Sequence, residues 1–191
     1  MSKLFKDKKI LLGISGSIAA YKAVDLASKL TQEGALVSVL MTESAKEFIT
    51  PLTFRSITHL PVLTNLFDPD SPTAVNHIAL AKEADAIVVA PATANTLAKL
   101  AWGFADDPIG VTWLASDAPR LVAPAMDADM WNKQQVFDNV EALRAQGTTI
   151  CGPAKGHLAS GMEGWGRMSE VPEIMARLAV MLGRNGDLAE R

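Results

Sequence analysis

The chain has a single cysteine, Cys151, in 191 residues, so no internal disulfide holds the fold and a reducing cytoplasm suits it. Its three histidines are widely separated, with no thiol or carboxylate at ligand spacing, which leaves no metal motif. Eighteen basic residues against 21 acidic ones give a net charge of −3 and no basic footprint for nucleic acid. Aromatic residues, 6 % of the chain, are scattered instead of interleaved with Lys and Arg. No apolar run reaches the roughly 20 residues of a membrane-spanning helix. The run "ILLGI" after the charged start is also too short for a signal-peptide core.

What the sequence does have is apolar residues, 49 % of the total, enough for one domain with a sizeable core. Strand and helix patterns alternate. "KKILLGI" reads as a buried strand, and residues 17–30 carry apolar side chains at helical spacing until Gly34. "ALVSVLMT" is the next strand, followed by a helix over 43–49 and a restart at Pro51 into "PLTFRSIT". After the loop "DPDSPT", a helix through "HIALAKEA" leads to the most apolar strand, "AIVVAPA". Its expected neighbours are "RLVAPA" and the weaker "TTICGP". Continuous apolar strands separated by helices predict an α/β fold, a doubly wound open parallel sheet with helices on both faces, Rossmann-like. The domain is expected to span 1–183, with 184–191 as a linker or tail.

In that architecture ligands sit beyond the carboxyl ends of the strands. "GISGSIAAYK" (13–22) follows the first strand. It is neither a dinucleotide fingerprint nor a P-loop, and it reads either as a phosphate-binding turn at a helix N-terminus or as a tight turn capped by Ser17. In "APATANT" (90–96), Thr93, Asn95 and Thr96 either cap the next helix or meet a ligand. In "PAMDADMW" (124–131), Asp129 is a natural cap, Asp127 is free to face a ligand, and Met126 and Met130 read as packing residues. His77 either acts as a general base or solvates a helix end. The stretch "GHLASGMEGWGRM" (156–168) has four glycines and no run committing it to strand or helix. It is expected to be a functional loop, with Ser160 its candidate reactive residue.

Together, "GSIAAYK", "NHIALAKEAD", "APATANTLAKLAWGFADD", "PAMDADMW" and "GHLASGMEGWGRM" resemble the family of homo-oligomeric flavin-containing cysteine decarboxylases, in its order and spacing. The resemblance runs from about residue 9 to 174. It implies FMN as cofactor, with Gly16, Ser17, Ile18, Thr42 and Ser44 against it. Thr93, Ala94, Asn95 and Thr96 match the polar flavin-binding turn, and Ala125 is expected near the ring. His77 matches the catalytic histidine. Residues 156–168 match a clamp over the substrate, placing Ala159, Ser160 and Gly161 beside it together with Asp127 and Met130. The implied partners are further copies of the chain, as a trimer or a dodecamer of trimers, and a fused or separate phosphopantothenate–cysteine ligase domain.

The implied reaction converts 4'-phosphopantothenoylcysteine to 4'-phosphopantetheine on the route to coenzyme A. Oxidation of the thiol side by the flavin gives a thioaldehyde, which serves as electron sink for loss of CO2, and the enethiol is then reduced again. Two positions depart from the family's pattern. Asp127 stands where the family usually has Asn, and Ser160 where the clamp usually has a proton-donating Cys. A serine hydroxyl is a far weaker acid than a thiol. An ionised Asp127 would repel the substrate carboxylate, so it is expected to be protonated, paired with a cation, or bypassed by a differently seated substrate. Alternative functions are an oxidative peptidyl-cysteine decarboxylase that releases the enethiol, and a non-catalytic flavin-binding regulatory oligomer. Cys151 reads as a buried strand-end thiol.

Overall fold

A computed structural model of the chain describes residues 3–66 and 77–183. Its centre is a six-stranded parallel sheet of β1 (Lys9–Ile14), β2 (Leu36–Met41), β3 (Val62–Leu63), β4 (Ala86–Ala92), β5 (Arg120–Pro124) and β6 (Thr149–Ile150), in the order β3-β2-β1-β4-β5-β6. The expected doubly wound architecture is the one observed. Successive side chains of a strand point to opposite faces. Ile10, Leu12 and Ile14 of β1 and Val88 and Ala90 of β4 therefore enter one core, while Leu11, Ile87 and Val89 enter the other. This two-sided burial is why the strands read as unbroken apolar runs.

The first core is closed by α1 (Ala20–Gln32), α2 (Pro51–Thr58) and α8 (Val171–Met181), through Leu26, Leu30, Phe54, Ile174 and Leu178. The second is closed by α4 (Ala94–Trp102), α5 (Pro108–Ala115) and α7 (Gln134–Ala145), through Leu97, Leu100, Ile109, Trp113, Val140 and Leu143. A short α3 (His77–Glu83) packs on α5, and α6 is a single turn (Ala128–Trp131). No helix among the described residues is long and apolar enough to cross a membrane.

Several local expectations need correcting. Helix α1 begins at Ala20, not at Ser17, because a turn closed by the Ala20 N–H on the Ser17 carbonyl occupies residues 17–20. Residues 43–47 form a 3-10 turn, shorter than the helix expected over 43–49, and "PLTFRSIT" is α2. The two-residue β3 carries too few side chains for a pattern to announce it. The loop "DPDSPT" and the tail 184–191 lie outside the described residues.

The largest correction concerns residues 156–168. They are mostly ordered strand: β7 (Ala154–His157) and β8 (Glu163–Arg167) pair antiparallel, joined by a turn in which Gly161 takes φ +85°. Gly164 and Gly166 are there for close approach. A Cβ on Gly164 would stand 2.7 Å from Cβ of Ala128, and one on Gly166, at φ +151°, would stand 2.2 Å from the Met126 carbonyl oxygen. The Met126 N–H donates to the Gly166 carbonyl at 2.9 Å, so the hairpin is fastened to the segment after β5 by backbone. Gly166→Ala is expected to weaken this docking by about 1–3 kcal/mol. The measure is amide exchange, faster across 154–167 with the central sheet unchanged; unaltered exchange would show that the backbone has room for the methyl.

Candidate active site

Strand order reverses between β1 and β4: the chain leaves β1 toward β2 on one side, and leaves β4 toward β5 on the other. The loops after these two strands therefore diverge, leaving a crevice at the sheet's carboxyl edge. Ser15 holds its floor. Its buried hydroxyl donates to the Pro91 carbonyl at 2.7 Å and accepts from the Thr93 N–H at 2.9 Å, tying the end of β1 to the end of β4.

Above this floor lies a cleft of about 1120 Å³. Three walls come from the loops after β1, β2 and β4. Gly16, Ser17 and Ile18 precede α1, and Gly16 packs so closely on Ser44 that a Cβ would meet its hydroxyl at 2.5 Å. Thr42 caps the 3-10 turn through the Ala45 N–H and shares a 3.1 Å hydrogen bond with Ser44. Thr93 caps α4 by accepting from the Thr96 N–H, while Ala94 and the exposed Asn95 line the opening. Ala125, Met126, Asp127 and Met130 form the fourth wall, and the hairpin residues Ala159 and Ser160 close the cleft from above.

Thus fourteen of the sixteen residues singled out in the sequence line one cleft: Gly16, Ser17, Ile18, Thr42, Ser44, Thr93, Ala94, Asn95, Thr96, Ala125, Asp127, Met130, Ala159 and Ser160. Gly161 shapes the hairpin turn without lining the cleft, and His77 lies at the start of α3, also outside the lining. The His77 Nδ1 is buried and has no hydrogen-bond partner among the described residues.

The fourth wall resolves the question of Asp127. Asp127, not Asp129, caps α6, accepting the Asp129 N–H at 3.0 Å. Its other oxygen accepts the Ser160 hydroxyl at 2.6 Å. Ser160 and then the Asp129 amide hold the Asp127 carboxyl below its ordinary range. The carboxylate is therefore ionised, and its partners are a hydroxyl and an amide, not a cation. The two positions that depart from the family's pattern are bonded to each other.

The sequence reading passed over three cations that line the cleft. Lys22 is almost fully buried, donating from Nζ to the Met168 carbonyl at 3.0 Å and to Glu170 at 2.9 Å. Glu170 also accepts from Arg167 at 2.7 Å, so α1 is joined to the base of the hairpin. Lys99 pairs with Asp106 at 2.8 Å and Asp107 at 3.2 Å. A signal for Lys22 was present, since a lysine interrupts the apolar stripe of Ala20, Ala23, Leu26 and Leu30. Cys151 is fully buried, and burial pushes its thiol above its ordinary value. No cluster of metal-ligating side chains occurs among the described residues.

A Rossmann-like sheet with a hydroxyl-lined crevice at its switch point and a glycine-shaped turn at a helix N-terminus defines a nucleotide- or flavin-binding protein. The comparisons with known proteins narrow that class. The chain matches the family described as Flavoprotein over residues 2–183, and it belongs to that family. It is 47 % identical over 169 residues to the coenzyme A biosynthesis bifunctional protein CoaBC of Vibrio vulnificus, covering 88 % of this chain and 42 % of that protein. It is 44 % identical to a probable phosphopantothenoylcysteine decarboxylase of Streptococcus mutans, over 92 % of this chain and 99 % of that one. Among solved structures it resembles a Cys-to-Ser variant of PPC decarboxylase complexed with pantothenoylaminoethenethiol, at 33 % identity and a TM-score of 0.79, covering 93 % of this chain and all of that chain. It also resembles the FMN-dependent cysteine decarboxylase SpaF, at 31 % identity and a TM-score of 0.78, over 95 % of this chain and 98 % of that one. The chain spans less than half the length of the bifunctional relatives it matches.

The Asp127–Ser160 bond predicts a pH response. A carboxyl whose folded-state pKa is depressed contributes stability above its unfolded value, and loses it as pH falls through the folded one. The hairpin turn is expected to stay protected from amide exchange at neutral pH, with release beginning below about 3.9, the ordinary aspartate value. Asp127→Asn is expected to remove that step, and a step of the same size in the variant would assign it to another carboxylate.

Proposed function

We propose that this chain is an FMN-dependent decarboxylase that converts 4'-phosphopantothenoylcysteine to 4'-phosphopantetheine. The observation carrying the proposal is the convergence of four separate sequence segments on one cleft, with a glycine hairpin as its cover. The near full-length relative named as a probable phosphopantothenoylcysteine decarboxylase supports the same reading.

The cleft fits a flavin mononucleotide. Its volume exceeds the roughly 300–1,000 Å³ usual for a single small-molecule site, leaving room for a cofactor and a substrate together. Gly16 lets Ser44 pack against the turn over residues 16–18, which brings a hydroxyl beside the start of α1, where a phosphate is favoured. Ser17, Thr42, Ser44, Thr93 and Asn95 supply polar groups for the phosphate, the ribityl chain and the ring edge. Ala94, Ala125 and Met126 supply flat apolar surface. A bound flavin would supply the two-electron oxidation that an unactivated cysteine carboxylate needs before it can lose CO2, and the two-electron reduction of the product that follows.

The chain's own residues hold and screen the reacting end. The hairpin excludes water over the cleft, with Ser160 at its tip and the Lys22–Glu170–Arg167 set fixing its base. His77 remains our candidate catalytic histidine. Its place outside its own chain's cleft is consistent with a homo-oligomer, a trimer, in which a neighbouring copy brings it to the site. We extend the proposal to a ligase domain, fused or separate, because the bifunctional relatives are longer than this chain.

One observation favours a second reading for the last half-reaction. Ser160 commits its proton to Asp127, and a solved relative with a Cys-to-Ser change is complexed with an aminoethenethiol. An oxidative decarboxylase would release that kind of product. The two readings separate when the FMN-loaded protein is incubated anaerobically with 4'-phosphopantothenoylcysteine, following the flavin spectrum and the product mass. The redox-neutral reaction is expected to give the mass of 4'-phosphopantetheine over many turnovers with the flavin ending oxidised. A product two hydrogens lighter, with reduced flavin after one turnover, would establish the oxidative reaction, and no product at all would overturn both.

A further inference from the structure

We infer that Asp127, with Ser160 as its hydroxyl partner, is a specificity-determining residue that makes one wall of the cleft hostile to carboxylates, so that the site binds the decarboxylated ligand more tightly than the carboxylated one. The inference rests on the substrate class proposed above and goes beyond it, because it concerns which of two ligand forms the site retains.

The argument begins with donors and acceptors. An ionised carboxylate only accepts hydrogen bonds, so the proton in the 2.6 Å contact belongs to Ser160. A serine hydroxyl has one proton, and this one is turned toward Asp127. What remains toward the cleft is a set of oxygen lone pairs on Ser160 and Asp127, with one negative charge. Both residues line the cleft. The second Asp127 oxygen is occupied by the Asp129 N–H, which fixes the carboxylate in place at the start of α6.

Among the described residues, no Lys or Arg of the cleft lining offsets this charge through a direct bond. Lys22 and Arg167 both pair with Glu170, and Lys99 pairs with Asp106 and Asp107. Lys22 uses a second donor on the Met168 carbonyl. A ligand carboxylate brought to this wall meets acceptors and a like charge, both unfavourable. A ligand end that has lost its carboxylate escapes the repulsion and is free to donate to the Ser160 oxygen. The wall thus raises the free energy of the bound carboxylated form relative to the bound product form, in the direction that favours loss of CO2. Its cost is retention of product.

The test uses two unreactive ligands differing only in the carboxylate, the S-methyl thioethers of 4'-phosphopantothenoylcysteine and of 4'-phosphopantetheine. Each is titrated calorimetrically into the FMN-loaded protein. The wild type is expected to bind the thioether lacking the carboxylate severalfold more tightly, with the ratio shrinking as salt is raised. Asp127→Asn is expected to bring the ratio to one or invert it, since an amide donates as well as accepts. Ser160→Ala removes the hydroxyl and keeps the charge, so the preference is expected to persist or widen, an outcome that mere loosening of the hairpin would not give. Equal affinities in the wild type, or an unchanged ratio in Asp127→Asn, would overturn the inference while leaving the proposed substrate class intact. Failure of both thioethers to bind would remove that class, and the inference with it.

Discussion

The cleft exists because two neighbouring parallel strands send their chains in opposite directions, and Ser15 is the residue that holds them together where they part. One hydroxyl links β1 to the Pro91 carbonyl and the Thr93 amide at the end of β4. The walls that follow β1 and β4 are placed relative to this joint. Gly16, Ser17 and Ile18 follow Ser15 directly, and Thr93 starts α4 directly beyond the amide that Ser15 accepts. The Pro91 carbonyl also accepts the Ser15 N–H at 3.3 Å, and loss of the Ser15 hydroxyl would take from the Thr93 amide the acceptor it uses, which carries a real desolvation cost. The same atoms that satisfy the backbone thereby fix the shape of the site.

The cover of the cleft obeys a different constraint. Gly164 and Gly166 are dictated by close approach, to the Ala128 side chain and to the Met126 backbone. The hairpin is docked at its base through Lys22 and Glu170 and at its tip through Ser160 and Asp127. The cover is tied to the rest of the fold at both ends, and at its tip Ser160 meets Asp127. Those two residues are the ones at which this chain departs from the pattern of the decarboxylases it resembles. Their hydrogen bond makes the change a paired one: the aspartate accepts the serine's hydrogen bond, and the wall carries the charge of the carboxylate.

The fold was legible because parallel strands buried on both faces leave continuous apolar runs, as in "AIVVAPA", whose residues then divide between two cores. Most of the cleft lining was legible too, since a doubly wound sheet opens its crevice after the strands, where Gly16, Thr42, Thr93 and Ala125 stand. What escaped was set by partners far away in the chain. Ser15 meets residues 76 and 78 positions further on. The strands β7 and β8 look like a loop because the reason for Gly164 and Gly166 is the segment after β5. From "DADM" alone Asp129 reads as the cap, whereas Asp127 accepts the Asp129 N–H and also the Ser160 hydroxyl, 33 residues away. Lys22 was the exception, with its signal in plain view as a lysine in an apolar stripe.

The central claim is that this cleft holds a flavin mononucleotide with its phosphate at the turn over residues 16–18. Titrating the apoprotein with FMN and with riboflavin, and following the quenching of flavin fluorescence, tests it directly. The account predicts saturable quenching by FMN at a concentration at least tenfold below that needed for riboflavin, because only FMN presents an anion to the start of α1. Equal affinity for the two, or quenching by neither, would contradict it.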